Sequence, residues 1–284
     1  MTHRLNRWLL TLALLLAVPF YWLMIDNNPG RYAAKPLPIA ELRRLATTLP
    51  GARPSAAQFL VLADCAAFGD LFAAGLGLKR RPLAMVGWFL PVRSGSPVLI
   101  DGLVGPAEAR ARRYSTYFPG NAARLAAYAL PSVLLLQTTR PLTAPSHDPV
   151  VDARGPQALA PGVVAIPAPD YAPGTRLIYV MLANGHELLF AGDIAPLDES
   201  WRELRARSLL AAWWLVPQNR ASAYRWLATI ARWKHEAPGL LVVPGNDDFW
   251  LTKPHDPALS DMAVPAAGTS ALADRRDDKP LALR

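Results

Sequence analysis

Glu187-Leu-Leu-Phe-Ala-Gly-Asp193 and, further along the chain, Leu241-Val-Val-Pro-Gly-Asn-Asp247 are the two stretches on which the reading of this sequence turns. Each is a short apolar run of β-favouring residues that breaks at a glycine and then offers a polar side chain. A strand that ends this way delivers its carboxylate or amide to one edge of a sheet, which is how metal-dependent hydrolases present ligands. The carboxylates are in place, but the histidines a zinc site would require are absent from both stretches.

Working outward, strand-like runs occupy Gln58–Leu62, Leu83–Val92 and Pro97–Asp101, the last two joined by the turn Arg93-Ser-Gly-Ser96. Helix-compatible stretches follow at Pro106–Arg113 and Asn121–Ala129, and Val133–Gln137 reads as a buried strand. The second half repeats the scheme with Val163–Ile166, Leu177–Leu182 and Leu188–Phe190, the last two linked by the Asn-Gly turn Ala183-Asn-Gly-His186. Helices are expected over Leu197–Val216 and Ala221–His235, ahead of the strand Leu240–Val243. Strands grouped within each half, with helices outside them, predict a layered α/β sandwich rather than a doubly wound sheet.

Composition narrows the functional classes. The 284 residues are 52% hydrophobic, enough for a sizeable core and too apolar for a disordered chain. One cysteine, Cys65, excludes an intramolecular disulfide and any multi-cysteine metal site; set in an apolar run, it reads as a buried inert thiol. The formal charge of +8 favours anionic surfaces. The arginines are dispersed and carry no nucleic-acid module signature, so a membrane is the better partner than nucleic acid.

The segment Trp8–Ile25, WLLTLALLLAVPFYWLMI, is apolar throughout and follows Arg4 and Arg7. Its length suits a membrane span, and Trp8, Tyr21 and Trp22 suit the interfacial belts. A cleavable signal peptide is the alternative, though no small-residue cleavage site follows at the right place. The sequence thus divides into an anchor or signal peptide over 1–26, a linker over 27–56 with a helix-compatible piece at Ile39–Thr47, a domain over 57–258 and a disordered tail over 259–284. A single-pass anchor in a bacterial-type inner membrane, with the domain outside the cytoplasm, is the favoured placement. Arg31, Lys35, Arg43 and Arg44 after the span blunt that orientation signal. The helices between 197 and 235 carry Trp201, Trp213, Trp214, Trp226 and Trp233 among arginines, which fits either a face lying on an anionic membrane or an outer layer burying its aromatics on the sheet.

The order Val98-Leu-Ile-Asp-Gly-Leu103, Val133-Leu-Leu-Leu-Gln137, Ile166-Pro-Ala-Pro-Asp-Tyr-Ala-Pro-Gly-Thr175, Leu188–Asp193 and Val242–Asp247 resembles the metallo-β-lactamase superfamily. The resemblance implies a four-layer αβ/βα sandwich with one or two metal ions, usually zinc, at one edge, and a metal-bound hydroxide that attacks an ester, lactone, thioester, amide or phosphoester. The family's T-H-x-H-x-D-H segment corresponds here to Gln137-Thr-Thr-Arg-Pro-Leu-Thr143, so Thr138, Arg140, Leu142 and Thr143 stand in the His, His, Asp and His places. Tyr171 and Asn246 fall where two further histidines are expected, and only Asp193 matches a ligand, the bridging carboxylate. Such a donor set does not hold zinc in tetrahedral array. A displaced His147-Asp148 would be needed to rescue it, and His186, His235 and His255 read as solvated.

Two arrangements of the former site follow: an Arg140–Asp193 ion pair completed by Thr138, Tyr171 and Asn246, or an Asp193 that merely caps a turn. Three functional classes follow in turn. One is a membrane-anchored domain that binds an unknown ligand or protein partner, without cofactor, at a vestigial pocket of Thr138, Arg140, Tyr171, Asp193, Asn246 and Asp247. Another is a hydrolase of an ester, lactone or related bond, with zinc or another divalent metal at an unusual mononuclear site that uses Asp193, Asp170 or Asp247 and a displaced histidine. The last is an envelope scaffold.

Overall fold

The computed structural model describes residues 2–102, 104–128, 133–139, 155–253, 259–262 and 281–282. Among them, strands β1 (Ala57–Phe68), β2 (Arg80–Leu90), β3 (Val98–Ile100), β4 (Thr116–Tyr117) and β5 (Leu134–Leu136) belong to one sheet. Strands β6 (Gln157–Ala160), β7 (Val163–Pro167), β8 (Arg176–Met181), β9 (Glu187–Phe190) and β10 (Leu241–Val243) form the other, in the order β10-β9-β8-β7-β6. The two opening stretches are therefore neighbours: β9 and β10 run parallel, with Leu188, Leu189 and Phe190 opposite Leu241, Val242 and Val243.

The period-2 alternation of each strand explains the layering. Phe59 and Val61 of β1, Val86 and Trp88 of β2, Ile178 and Val180 of β8, and Phe190 of β9 share the core between the sheets. Their sequence neighbours point outward. Leu60, Leu62, Met85 and Phe89 meet Ala109 of α3 (Pro106–Ala111) and Leu125 of α4 (Pro119–Tyr128). Leu177, Tyr179 and Leu189 meet Leu42 of α2 (Ile39–Ala46) and Leu227, Ile230 and Trp233 of α6 (Arg220–Glu236). Strands covered on both faces must be apolar on both, which is why they read as continuous hydrophobic runs. The result is the expected αβ/βα sandwich.

Several expected boundaries change. The stretch 27–56, expected as a linker, contributes α2, whose Ile39, Leu42 and Ala46 are buried in the second core, so this part belongs to the domain. Arg43 of α2 pairs in a fork with Glu187, the first residue of the opening stretch, through Nε–Oε1 and Nη2–Oε2 bonds of 2.7 Å each. Within the stretch 259–284, expected as a disordered tail, the described residues include two strands: β11 (Leu259–Asp261) pairs with β1 and β12 (Leu281–Ala282) with β4. The single helix expected over Leu197–Val216 is broken. The short α5 (Asp198–Arg202) ends before Leu204, whose φ of 51° puts a leucine in the left-handed region, and winding resumes only after Ser208.

At the other end, α1 (Thr2–Phe20) runs on into a wide turn at Tyr21–Ile25. Arg4–Ile25 is long and apolar enough to cross a membrane, with mean hydropathy 2.1, and an 18-residue stretch of it is only 6% buried.

Candidate functional site

Four strand ends converge at one edge of the sandwich. β3 and β5 are parallel, so Asp101 and Thr138 emerge side by side: the Thr138 backbone N–H donates to Asp101 Oδ1 at 2.8 Å and its hydroxyl to Oδ2 at 2.7 Å. Asp101 adopts φ 53°, a conformation an aspartate tolerates when its side chain is held locally. From the other sheet β9 and β10 bring Asp193 and Asn246. The Ala191 N–H donates to the Val243 carbonyl at 3.0 Å within the second sheet, and the Arg176 N–H donates to the Thr138 carbonyl at 2.9 Å, a bond that joins the two sheets at this edge.

Asp193 lies between two guanidinium groups. Arg207 Nη2 stands 3.3 Å from Oδ1, and Arg112 Nη1 stands 3.6 Å from Oδ2. The first is a long charge-assisted hydrogen bond and the second an ion pair without one. The Arg207 side chain is only 4% exposed and stacks on the Phe72 ring, 4.8 Å from its centroid. Arg112 also donates through Nε to Glu108 Oε1 at 2.7 Å. Withdrawal from water works against the Arg112 charge, yet Asp193 and Glu108 beside it hold its pKa above the ordinary arginine value.

The remaining site residues complete this shell at a distance from the carboxylate. The Tyr171 hydroxyl lies 2.7 Å from the backbone carbonyl of Asp193 and within hydrogen-bond reach of Gln218 Oε1. Asn246 Nδ2 donates to the Tyr114 hydroxyl at 2.7 Å. Burial pushes both phenols above their usual range, so both are neutral hydroxyls rather than bases at ordinary pH.

Asp247 faces away from this cluster. It is 4% exposed and caps α7 (Asp248–Thr252), accepting from the Trp250 and Asp198 backbone N–H groups at 3.1 and 2.9 Å. Asp170 belongs to another network, taking Lys35 at 2.6 Å, Trp226 Nε1 at 3.2 Å and the Ser222 hydroxyl. Among the described residues, Asp170 and Asp247 are thus held by partners other than those of Asp193.

Arg140, expected as the cation on Asp193, lies outside the described residues, as do Leu142, Thr143, His147, Asp148 and His255. Among the described residues the cations beside Asp193 are Arg112 and Arg207, which sequence reasoning missed. Both sit in arginine-rich stretches that look like solvated surface, and nothing in their spacing sets them apart. Asp101 was visible only as part of the Leu-Ile-Asp-Gly run.

Among the described residues no group of three or more His, Cys, Asp or Glu side chains is placed to hold a metal ion. Zinc held by Asp193 would sit about 2.0–2.2 Å from a carboxylate oxygen, and each of those oxygens already faces a guanidinium group. The donors present at the described edge are hydroxyls, an amide and paired carboxylates, and they do not fit the family's dinuclear zinc.

Asp101 carries the pH response of this edge. Removal from water pushes its carboxyl up to about 6, against the two Thr138 donors and Arg112, which pull it down. A carboxyl raised above its unfolded value favours the folded chain while protonated, and that contribution is lost as pH climbs from about 4 to about 6. Asp101→Asn is therefore expected to gain stability relative to the native chain over that window, on the order of 2 kcal/mol, in urea unfolding at stepped pH. A difference between the two chains that stays flat from pH 4 to 7 would contradict this.

No protein-family model and no curated protein matches the chain by sequence. Solved structures do. A quorum-quenching N-acyl homoserine lactone lactonase superposes with TM-score 0.57 at 10% identity, covering 72% of this chain and 98% of that one. A structure of a quorum-quenching N-acyl homoserine lactone hydrolase gives the same values. An N-acyl homoserine lactone hydrolase with N-hexanoyl-L-homoserine at its catalytic metal centre gives 0.55 at 10%, covering 72% and 97%. The chain has the fold of the metallo-β-lactamase superfamily, and at this identity the likeness speaks for the fold.

Proposed function

We propose that this protein is a membrane-anchored domain of the metallo-β-lactamase fold that binds a ligand or protein partner at the sheet edge and does not use the dinuclear zinc chemistry of its fold relatives. One observation carries the reading: both oxygens of Asp193, the one residue matching a metal ligand, face guanidinium groups at 3.3 and 3.6 Å. A cation fixed on each side of the carboxylate repels a divalent ion, and the neutral Tyr171, Thr138 and Asn246 side chains are engaged with other partners. The span Arg4–Ile25 supports the anchor, which we place in an inner membrane with the domain outside the cytoplasm.

The test is elemental analysis of the full chain, purified in mild detergent and dialysed against buffer with zinc, manganese and iron. Metal well below one equivalent is expected, together with no hydrolysis of an N-acyl homoserine lactone. One equivalent retained through dialysis would overturn the reading in favour of a mononuclear hydrolase. Alkaline carbonate extraction of cell membranes should leave the intact chain in the pellet, and a chain that starts after residue 26 would identify the segment as a signal peptide.

A further inference from the structure

Residues 206–219 form a strap with both ends in the candidate site and a tip in solvent. At one end Arg207 meets Asp193. At the other, Gln218 meets the Tyr171 hydroxyl and the Asn219 N–H donates to the Tyr171 carbonyl at 2.8 Å. Between them the chain winds through a wide turn, Ala211–Leu215, that leaves Trp213 60%, Trp214 77% and Leu215 40% exposed. Trp88, Trp201, Trp226, Trp233 and Trp250 are all buried, so the outer-layer reading fits three of the helical tryptophans and fails for these two. Two adjacent tryptophans in water keep apolar area exposed that the fold elsewhere buries, and such exposure marks a contact surface.

The strap lies at the root of the apolar helix. Leu209 lines a cleft of about 480 Å³ together with Trp22, Arg31, Tyr32 and Arg220. Trp213 follows Leu209 by about one helical turn. The helix end is held to the domain at this level: the Gly75 N–H donates to the Met24 carbonyl at 3.3 Å, and Arg220 Nη1 stands 3.5 Å from Asp26 while Nη2 bonds the Asp26 carbonyl. The loop that carries Gly75 leaves Leu78 52% exposed, with Lys79 and Arg80 exposed beside it. Apolar and basic side chains thus surround the point where the span leaves the domain.

We infer that the strap tip is a second membrane contact: Trp213, Trp214 and Leu215 enter the headgroup region of the leaflet from which the span emerges, with Lys79, Arg80 and Arg31 over lipid phosphates. Amphipathic tryptophan rings and basic side chains are the chemistry of the bilayer interface. The inference rests on the anchoring proposed above. The domain then lies against the bilayer instead of swinging above it, and lipid bears directly on the segment that supplies Arg207 and Gln218 to the site.

The experiment uses the full chain with Cys65→Ser and one new cysteine, at Leu15, Trp214 or Asn184, labelled with an environment-sensitive fluorophore. Each is reconstituted in phosphatidylcholine–phosphatidylglycerol vesicles, with and without lipids bearing a shallow or a deep quencher. The label at 15 should lose at least about half its emission to the deep quencher and the label at 214 to the shallow one, while the label at the exposed hairpin residue Asn184 should lose almost none to either, as expected for bilayer-core, interfacial and aqueous positions. Quenching at 15 with none at 214 would end the inference and leave the anchor standing. No quenching at 15 would end the anchor and the inference with it. In the native-cysteine chain, Trp213→Ser with Trp214→Ser should remove the fraction of tryptophan emission quenched by the shallow-quencher lipid beyond that due to the span, and an unchanged fraction would also count against it.

Discussion

Asp193→Ala is expected to destabilise the folded chain by about 3 kcal/mol or more, because removing one partner of a buried ion pair strands the other charge. Arg207 is the stranded group: at 4% exposure it has no route to water, and its place over Phe72 does not replace a carboxylate. Arg112 suffers less, since Glu108 remains 2.7 Å from its Nε. Removing both charges together should cost much less, so Asp193→Leu with Arg207→Met is expected to recover a large part of the loss, as replacement of whole buried ion pairs by apolar groups often does. Urea unfolding of the detergent-solubilised full chain, with the single and double variants compared as a cycle, measures the coupling. A change within about 0.5 kcal/mol for Asp193→Ala would mean that the carboxylate only decorates a turn. Chelator treatment of the native chain separates this ion-pair role from metal ligation, because it should leave the unfolding midpoint unmoved.

That cycle concerns a pairing the sequence half disclosed. Asp193 is legible because it ends a strand in a motif, and motifs record backbone geometry. Its cations are not, because the distance from Arg112 or Arg207 to Asp193 depends on how α3 and the strap fold back over the edge, and nothing local in either stretch records it. Arg140, the position that aligned with a ligand, lies outside the described residues, and alignment by strand end fixes sequence place while leaving side-chain approach open.

The fold was more legible, for a physical reason. Strands sandwiched between a partner sheet and a helix layer are apolar on both faces, and Gly, Pro and Asn-Gly turns punctuate them. What escaped was structure that depends on distant partners. Leu259–Asp261 becomes a strand only beside β1, and the two residues of β4 only between β1 and β12. Leu197–Val216 has the apolar content of one helix, but Leu204 breaks it and Trp213 and Trp214 turn outward, against what hydrophobic periodicity alone predicts.

Gly245→Ala should be the most damaging of the small changes near the site, costing roughly 3 kcal/mol as backbone overpacking with no side chain able to yield. A Cβ at 245 would lie 2.4 Å from the Gly192 carbonyl oxygen and 2.6 Å from its carbonyl carbon. Gly192 cannot retreat, since a Cβ there would itself meet Thr138 Cβ at 2.5 Å and its φ is already +53°. The glycines of the two opening stretches are therefore stacked, 245 on 192 and 192 on Thr138, and this contact brings the ends of β10, β9 and β5 within reach of one another. Gly239→Ala, with nothing within 4 Å of the added methyl, is the matched control and should shift stability by less than about 0.5 kcal/mol. If Gly245→Ala unfolds at the same urea concentration as Gly239→Ala, the turns are not in contact as described. If it is destabilised as expected while metal content stays negligible in both, the glycines serve the architecture of the edge independently of any metal bound there.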